Sequence, residues 1–191
     1  MDGSPIPMGG KMTFSVRQLL TGKEVLKGAK VDLDLRAYAG EAESSVTWSS
    51  EDYAAGVPEP AGSYDSPTGG NGPSVMLLPG KVLAEPAQGL PITAAGYTEG
   101  LFHVQLCRGD ATRSDNHAQL WLEDAAGTTL TADMSYFTGE TQGNRMDYID
   151  FVFDILPEEL SHYTLYGDFY TASTLTEGFW RVTFPLENTE S

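Results

Sequence analysis

The chain has 191 residues, 40% of them hydrophobic, with 27 acidic side chains against 11 basic ones and a formal net charge of −16. That length suits one domain or two small ones, and the apolar fraction is enough for a buried core. The charge repels nucleic-acid phosphates and anionic membrane surfaces, so neither is an expected partner.

The opening MDGSPIPMGG lacks the basic region and apolar stretch of a secretory leader, and residues 1–10 read as a loose lead-in. A piece cut from behind a transmembrane helix would look the same. Nothing in the chain approaches the roughly 18 continuous apolar residues of a membrane span, so direct insertion is not expected. KMTFSVRQ (11–18) alternates, with Met12, Phe14 and Val16 on one face. VDLDLRAY (31–38) alternates more strictly, Val31, Leu33, Leu35 and Ala37 opposing Asp32, Asp34 and Arg36, which predicts a strand with one wet face. SVTWSS (45–50) is a shorter candidate. Residues 51–74 are dominated by Gly, Pro, Ser and Ala and read as a long loop. Its GGNGPS (69–74) lacks the Gly-Lys-Ser/Thr continuation of a phosphate cradle.

Closely spaced strands are predicted beyond it: 75–78, 81–84, 91–95, 101–107, 117–123, 129–137, 147–155, 163–171 and 179–186. Turn residues separate them at 79–80, 125–127 and 139–143. Regular short strands without a helical period predict an all-β fold, an antiparallel two-sheet immunoglobulin-like sandwich. It would span 11–187 as a single domain, a subdivision near 90 being left open. DILPEELSHY (154–163) predicts one short helical turn near 157–162, with Pro157 at its start. Tyr163, entering the next strand, has the position of a tyrosine corner, its hydroxyl expected to bond back to the turn.

Two stretches, YTEGLFHVQL (97–106) and LTEGFWRVTF (175–184), nearly match. Both read as a turn ending in glycine, Gly100 or Gly178, that launches a core strand. Phe102, Val104 and Leu106 should then be buried, as should Trp180, Val182 and Phe184, while His103 and Arg181 point outward.

Signatures of catalysis are missing: no GxSxG, HExxH, CxxC or GxGxxG pattern occurs. The lone Cys107 permits no intramolecular disulfide and reads as a small buried hydrophobe. His103, His117 and His162 show no metal-ligand spacing, and His162 should be exposed. Asp150 and Asp154 share the face opposite Ile149, Phe151, Phe153 and Ile155. Two acids on one face suit general acid–base work, but a solvated face explains them better in so acidic a chain. The loop RGDATRSDNH (108–117) offers Asp110, Asp115 and Asn116 as oxygen ligands for calcium, opposed by two nearby arginines. Its Arg-Gly-Asp tripeptide is short enough to arise by chance. No catalytic residue, metal or cofactor is expected. Trp121, Tyr166 and Tyr170 fall on strand faces opposite the nearest aliphatics. Aromatics so placed stack on sugar rings or a protein partner when no second layer covers them. They are the candidate ligand-binding residues.

GLFHVQLCRGDATRSDNHAQLWLEDAAG (100–127) and YTLYGDFYTASTLTEGFWRVTFPLE (163–187) resemble parts of the ectodomains of Firmicutes membrane-anchored anti-sigma-factor-like proteins, domains of unknown function of the DUF4179/DUF5643 type. The resemblance covers 100–187 well and 11–50 loosely. It implies an immunoglobulin-like domain outside the cell, tethered to the cell surface through a transmembrane helix that this sequence does not contain. It carries over no catalytic residue. The expected function is a non-enzymatic sensing or scaffolding ectodomain of a regulatory or surface protein. Its partner would be a protein or a small ligand outside the cell. The alternative is a carbohydrate-binding module.

Overall fold

The computed structural model describes residues 10–46, 64–65, 75–110, 113–141, 144–172 and 174–185. The leader 1–9, most of the expected loop 51–74 and residues 47–50 of the strand expected at 45–50 lie outside that set. The described elements are fourteen strands and two short 310 turns. In chain order the strands are β1 (Lys11–Thr21), β2 (Glu24–Lys30), β3 (Ser44–Val46), β4 (Tyr64–Asp65), β5 (Val75–Leu77), β6 (Ala84–Ala87) and β7 (Leu90–Thr98). There follow β8 (Leu101–Gly109), β9 (His117–Asp124), β10 (Thr129–Thr131), β11 (Asp133–Thr141), β12 (Asn144–Phe153), β13 (Tyr163–Thr171) and β14 (Thr174–Pro185).

The fold is the all-β antiparallel sandwich that the turn spacing predicts. One sheet runs β10-β9-β13-β2, and the other β4-β11-β12-β8-β7-β6. Alternation builds the core between them. β9 turns Ala118, Leu120 and Leu122 inward, β13 turns Leu165 and Phe169, β8 turns Phe102, Val104 and Leu106, and β12 turns Ile149, Phe151 and Phe153. Phe102 packs its ring 5.3 Å from that of Tyr97 and 6.3 Å from that of Phe153, centroid to centroid.

Local chemistry sets the connections. β7 and β8 are joined through Glu99 and Gly100, both at positive φ (52° and 80°), the two-residue turn whose twist matches a hairpin. Between β9 and β10 the Asp124 carboxylate accepts the N–H groups of Thr128 at 2.8 Å and Ala126 at 2.9 Å. Those bonds, with Thr128 the larger contributor, hold its pKa below the usual carboxylate value.

VDLDLRAY is not a strand. Asp34 accepts the backbone N–H of Arg36 at 3.2 Å and binds its guanidinium at 2.8 Å, capping a 310 turn over Leu35–Tyr38. These local bonds replace a ladder. Val31 and Leu35 are buried nevertheless. A strand that periodicity does not reveal, β2, occupies EVLKGAK. Its register on β13 slips between Gly167 and Phe169, where Asp168 accepts the N–H of Gly28 at 2.8 Å. The bulge breaks the alternation of Val25, Leu26 and Ala29.

The expected helical turn is present as a 310 turn at Leu160–His162, and His162 is exposed. The tyrosine corner falls on a different residue. Tyr163 is half-buried, and its hydroxyl bonds to no described residue. Tyr97, arriving from β7, donates its hydroxyl to the Ile155 carbonyl at 3.0 Å, just before the turn. Burial, and secondarily the charges of Glu158 and Glu159, push the Tyr97 phenol from the ordinary 10 up to about 12. The unfolded chain therefore releases this proton first. The contribution is complete below pH 10 and is lost as pH rises to about 12, at most about 2–3 kcal/mol. Urea unfolding at pH 8 and pH 11 should show a steeper alkaline loss in the native chain than in Tyr97→Phe. Equal losses would remove Tyr97 from that role.

The two matching sequences are used differently. The first is the β7–β8 turn and a core strand, with Phe102, Val104 and Leu106 fully buried. The second lies wholly inside β14, and Gly178 makes no turn there. A Cβ at Gly178 would meet the Trp180 ring at 2.6 Å, so the glycine makes room for the indole. Among the described strands β14 pairs only with β1, as a ribbon that prolongs the β2–β13 pair beyond the sandwich: Glu24 pairs with Thr171 before the joint and Thr21 with Thr174 after it. Trp180, Val182 and Phe184, expected in the core, are therefore exposed at 40%, 58% and 38%. Alternation gives the facing correctly but cannot show that the second layer ends before these residues.

Candidate ligand-binding face

β9 and β13 are neighbours, so residues pointing away from the core line up across them. Tyr166 is registered with Trp121, Asp168 with Gln119, and Tyr170 with His117. The Trp121 and Tyr166 rings lie 6.3 Å apart at 14°, and those of His117 and Tyr170 lie 4.7 Å apart at 9°. The structure thus brings together two of the three aromatics singled out in the sequence and gives the third a partner, His117, that sequence reasoning did not assign to the row. Cross-strand register, which a single strand cannot reveal, is the missing signal.

All four rings are half-buried, and no described strand lies over the row. Polar groups are interleaved with them. Gln119 is exposed between the two ring pairs, and Glu123 carries its carboxylate 3.5 Å from the Trp121 indole nitrogen. Lys30 of β2 is registered with Tyr166 at the far edge. Beside Trp121 the sheet ends in a concave site of about 420 Å³, lined by Gln119, Leu120, Trp121, Thr129, Thr131, Ala132 and Met134. That volume lies within the range of small-molecule sites. Ring faces, an apolar hollow and a few hydrogen-bonding groups can hold a flat, polyhydroxylated ligand. The apolar hollow beside Trp121 takes its C–H surface, and the amide and hydroxyls take its O–H groups.

The other sequence candidates are placed elsewhere. Asp154 is exposed as expected, but Asp150 is 1% exposed and does not share a solvated face with it. His103, expected on the outer face of its strand, lies on that face but is buried as well, and its Nδ1 lies 3.1 Å from Asp150 Oδ2. Both do point away from the sandwich core, yet β5 lies over them. Leu77 donates its N–H to Asp150 Oδ2 at 3.3 Å, and its carbonyl accepts from Gln105 Nε2, while Thr93 donates to Gln105 Oε1 at 2.8 Å. Asp150 Oδ1 is buried with no hydrogen-bond partner among the described residues. Cys107 is buried nearby against Tyr148 and Met76, and desolvation raises its thiol pKa, as suits a packing residue more than a nucleophile.

The oxygen-rich loop ties segments of the chain together. Asn116 accepts the Ala172 N–H and donates to the Gly89 carbonyl, each at 3.2 Å, and Asp115 lies 3.6 Å from His117. Among the described residues no three His, Cys, Asp or Glu side chains cluster as a metal site, and no helix is long and apolar enough to cross a membrane. Comparisons with protein-family models, with curated proteins and with solved structures find no match to this chain.

Proposed function

We propose that this protein is a non-enzymatic binding module that takes carbohydrate on the outer face of its four-stranded sheet. The observation that carries the reading is the cross-strand aromatic row Trp121–Tyr166 and His117–Tyr170, which no described strand covers and which is bordered by a hollow of about 420 Å³. Aromatic side chains beside polar groups suit sugar recognition because a pyranose offers a flat C–H face and a rim of hydroxyls. Of the two functions expected from sequence, this observation favours the carbohydrate one. The acidity of the chain agrees with a neutral or cationic glycan and disfavours a polyanionic one.

Placement outside the cell, tethered to the cell surface as the ectodomain of a membrane-anchored regulatory or surface protein, is supported by the resemblance of 100–127 and 163–187 to anti-sigma-factor-like ectodomains. Such a module would sense or hold surface glycan. Reading the coding sequence upstream of Met1 for a transmembrane helix tests that placement independently of the ligand.

The binding reading is tested by native electrophoresis through gels containing soluble β-glucan, xylan, mannan or galactan. The native chain should be retarded in at least one. Trp121→Ala or Tyr166→Ala should weaken that binding about tenfold, the value of one aromatic contact. Retardation in none of the gels, or retardation unchanged by both substitutions, would contradict it.

A further inference from the structure

The β1–β14 ribbon leaves the sandwich, and toward its far end one face carries three consecutive pairs of large apolar side chains. The cross-strand pairs on that face are Met12 with Phe184, Phe14 with Val182, and Val16 with Trp180. Thr13 pairs with Thr183, and Ser15 with Arg181, on the opposite face. Phe14 and Val182 are more than half exposed. A two-stranded ribbon is marginally stable by itself, and an uncovered apolar face adds to the cost.

We propose that this face is the interface of a two-fold dimer, covered by the same face of a second copy of this chain. Three observations favour that occupant. The first is shape. A two-fold axis parallel to the strands, in the plane between two such ribbons, sets β1 of one copy over β14 of the other. Phe14 then falls on Val182, Trp180 on Val16 and Phe184 on Met12, so each ring meets an aliphatic chain at all three levels. The second is area. Five of the six side chains are 38–58% exposed, so complete burial of both faces would reach at most about 1,000 Å², the size of a weak, concentration-dependent dimer. The third is charge. The ribbon strands hold Lys11, Arg17 and Arg181 against Glu177 alone, a net of +2 in a chain of −16. Two copies that repel through their acidic bodies meet with least repulsion at these ribbons. Body repulsion also makes salt a strengthening agent, since screening weakens it while the apolar contact persists.

Sedimentation velocity on the full 191-residue chain, from about 1 to about 200 µM at low and at 0.3 M salt, tests the assignment. The expected result is a monomer–dimer equilibrium that salt shifts toward dimer. Val182→Lys and Phe14→Ser, each with near-native near-ultraviolet circular dichroism because both sites are exposed in the monomer, should raise the dimer Kd at least about tenfold. A monomer throughout the range would overturn the proposal, as would a dimer untouched by both substitutions. Open-ended assemblies would overturn it in favour of pairing through the free strand edges. Adsorption to vesicles of anionic lipid without self-association would overturn it in favour of a membrane surface.

Discussion

Phe102→Ala should cost about 3–5 kcal/mol of folding stability, and Trp180→Ala less than about 1 kcal/mol when the chain is dilute enough to be monomeric. The contrast follows from where the two matching sequences lie. Phe102 is fully buried, with Tyr97 and Phe153 against its ring, so truncation opens a cavity between two sheets that cannot collapse to fill it. Trp180 is 40% exposed on the ribbon and packs back over Gly178, so truncation removes a partly solvated ring and leaves no internal void. Urea unfolding followed by circular dichroism measures both, and the slope with denaturant should stay the same. A cost above about 3 kcal/mol for Trp180→Ala would place the ribbon inside the core and contradict the architecture.

The second large effect is expected at Asp150. Replacing it with alanine leaves His103 Nδ1 and the Leu77 N–H without their common acceptor, in a site sealed by β5. Breaking one member of such a buried set costs about 3–5 kcal/mol. Asp150→Asn keeps one acceptor oxygen and the side-chain volume, so it should cost clearly less. Hydrogen exchange should locate the damage. Amides 75–77 lose protection in Asp150→Ala before those of β8 do, because β5 is the element that this cluster holds down. Equal destabilisation by both substitutions would mean that the intact carboxylate, not side-chain volume or a single acceptor oxygen, is what this position requires.

How much of this the sequence disclosed depends on how local the determinant was. β12 and β9 were legible because alternation alone sets which side chains meet the core, and Ile149, Phe151 and Phe153 are buried as read. The Glu99–Gly100 hairpin was read correctly, but from a Thr-Glu-Gly signal that makes no turn at Gly178, so the tripeptide alone does not decide. β2 escaped because its bulge at Gly28 interrupts the period, and VDLDLRAY misled because Asp34 satisfies the backbone that a strand partner would otherwise hold. His103 and Asp150 were placed on the correct side of their strands. Their burial depends on β5, a long-range contact that no local pattern encodes. The candidate face was half legible: Trp121, Tyr166 and Tyr170 stood out from their strands, but their pairing, and the addition of His117, required the register of β9 on β13.

The most direct test of the binding face is an amide chemical-shift titration of the isotopically labelled chain. The titrant is the oligosaccharide of whichever polysaccharide retards it. Shifts that grow with saturation at 117–123, 129–131 and 166–170, with little change on β1 and β14, are the predicted result. Shifts concentrated on the six-stranded sheet or the ribbon, with the β9 and β13 amides unmoved, would contradict the assignment of the ligand to the aromatic row.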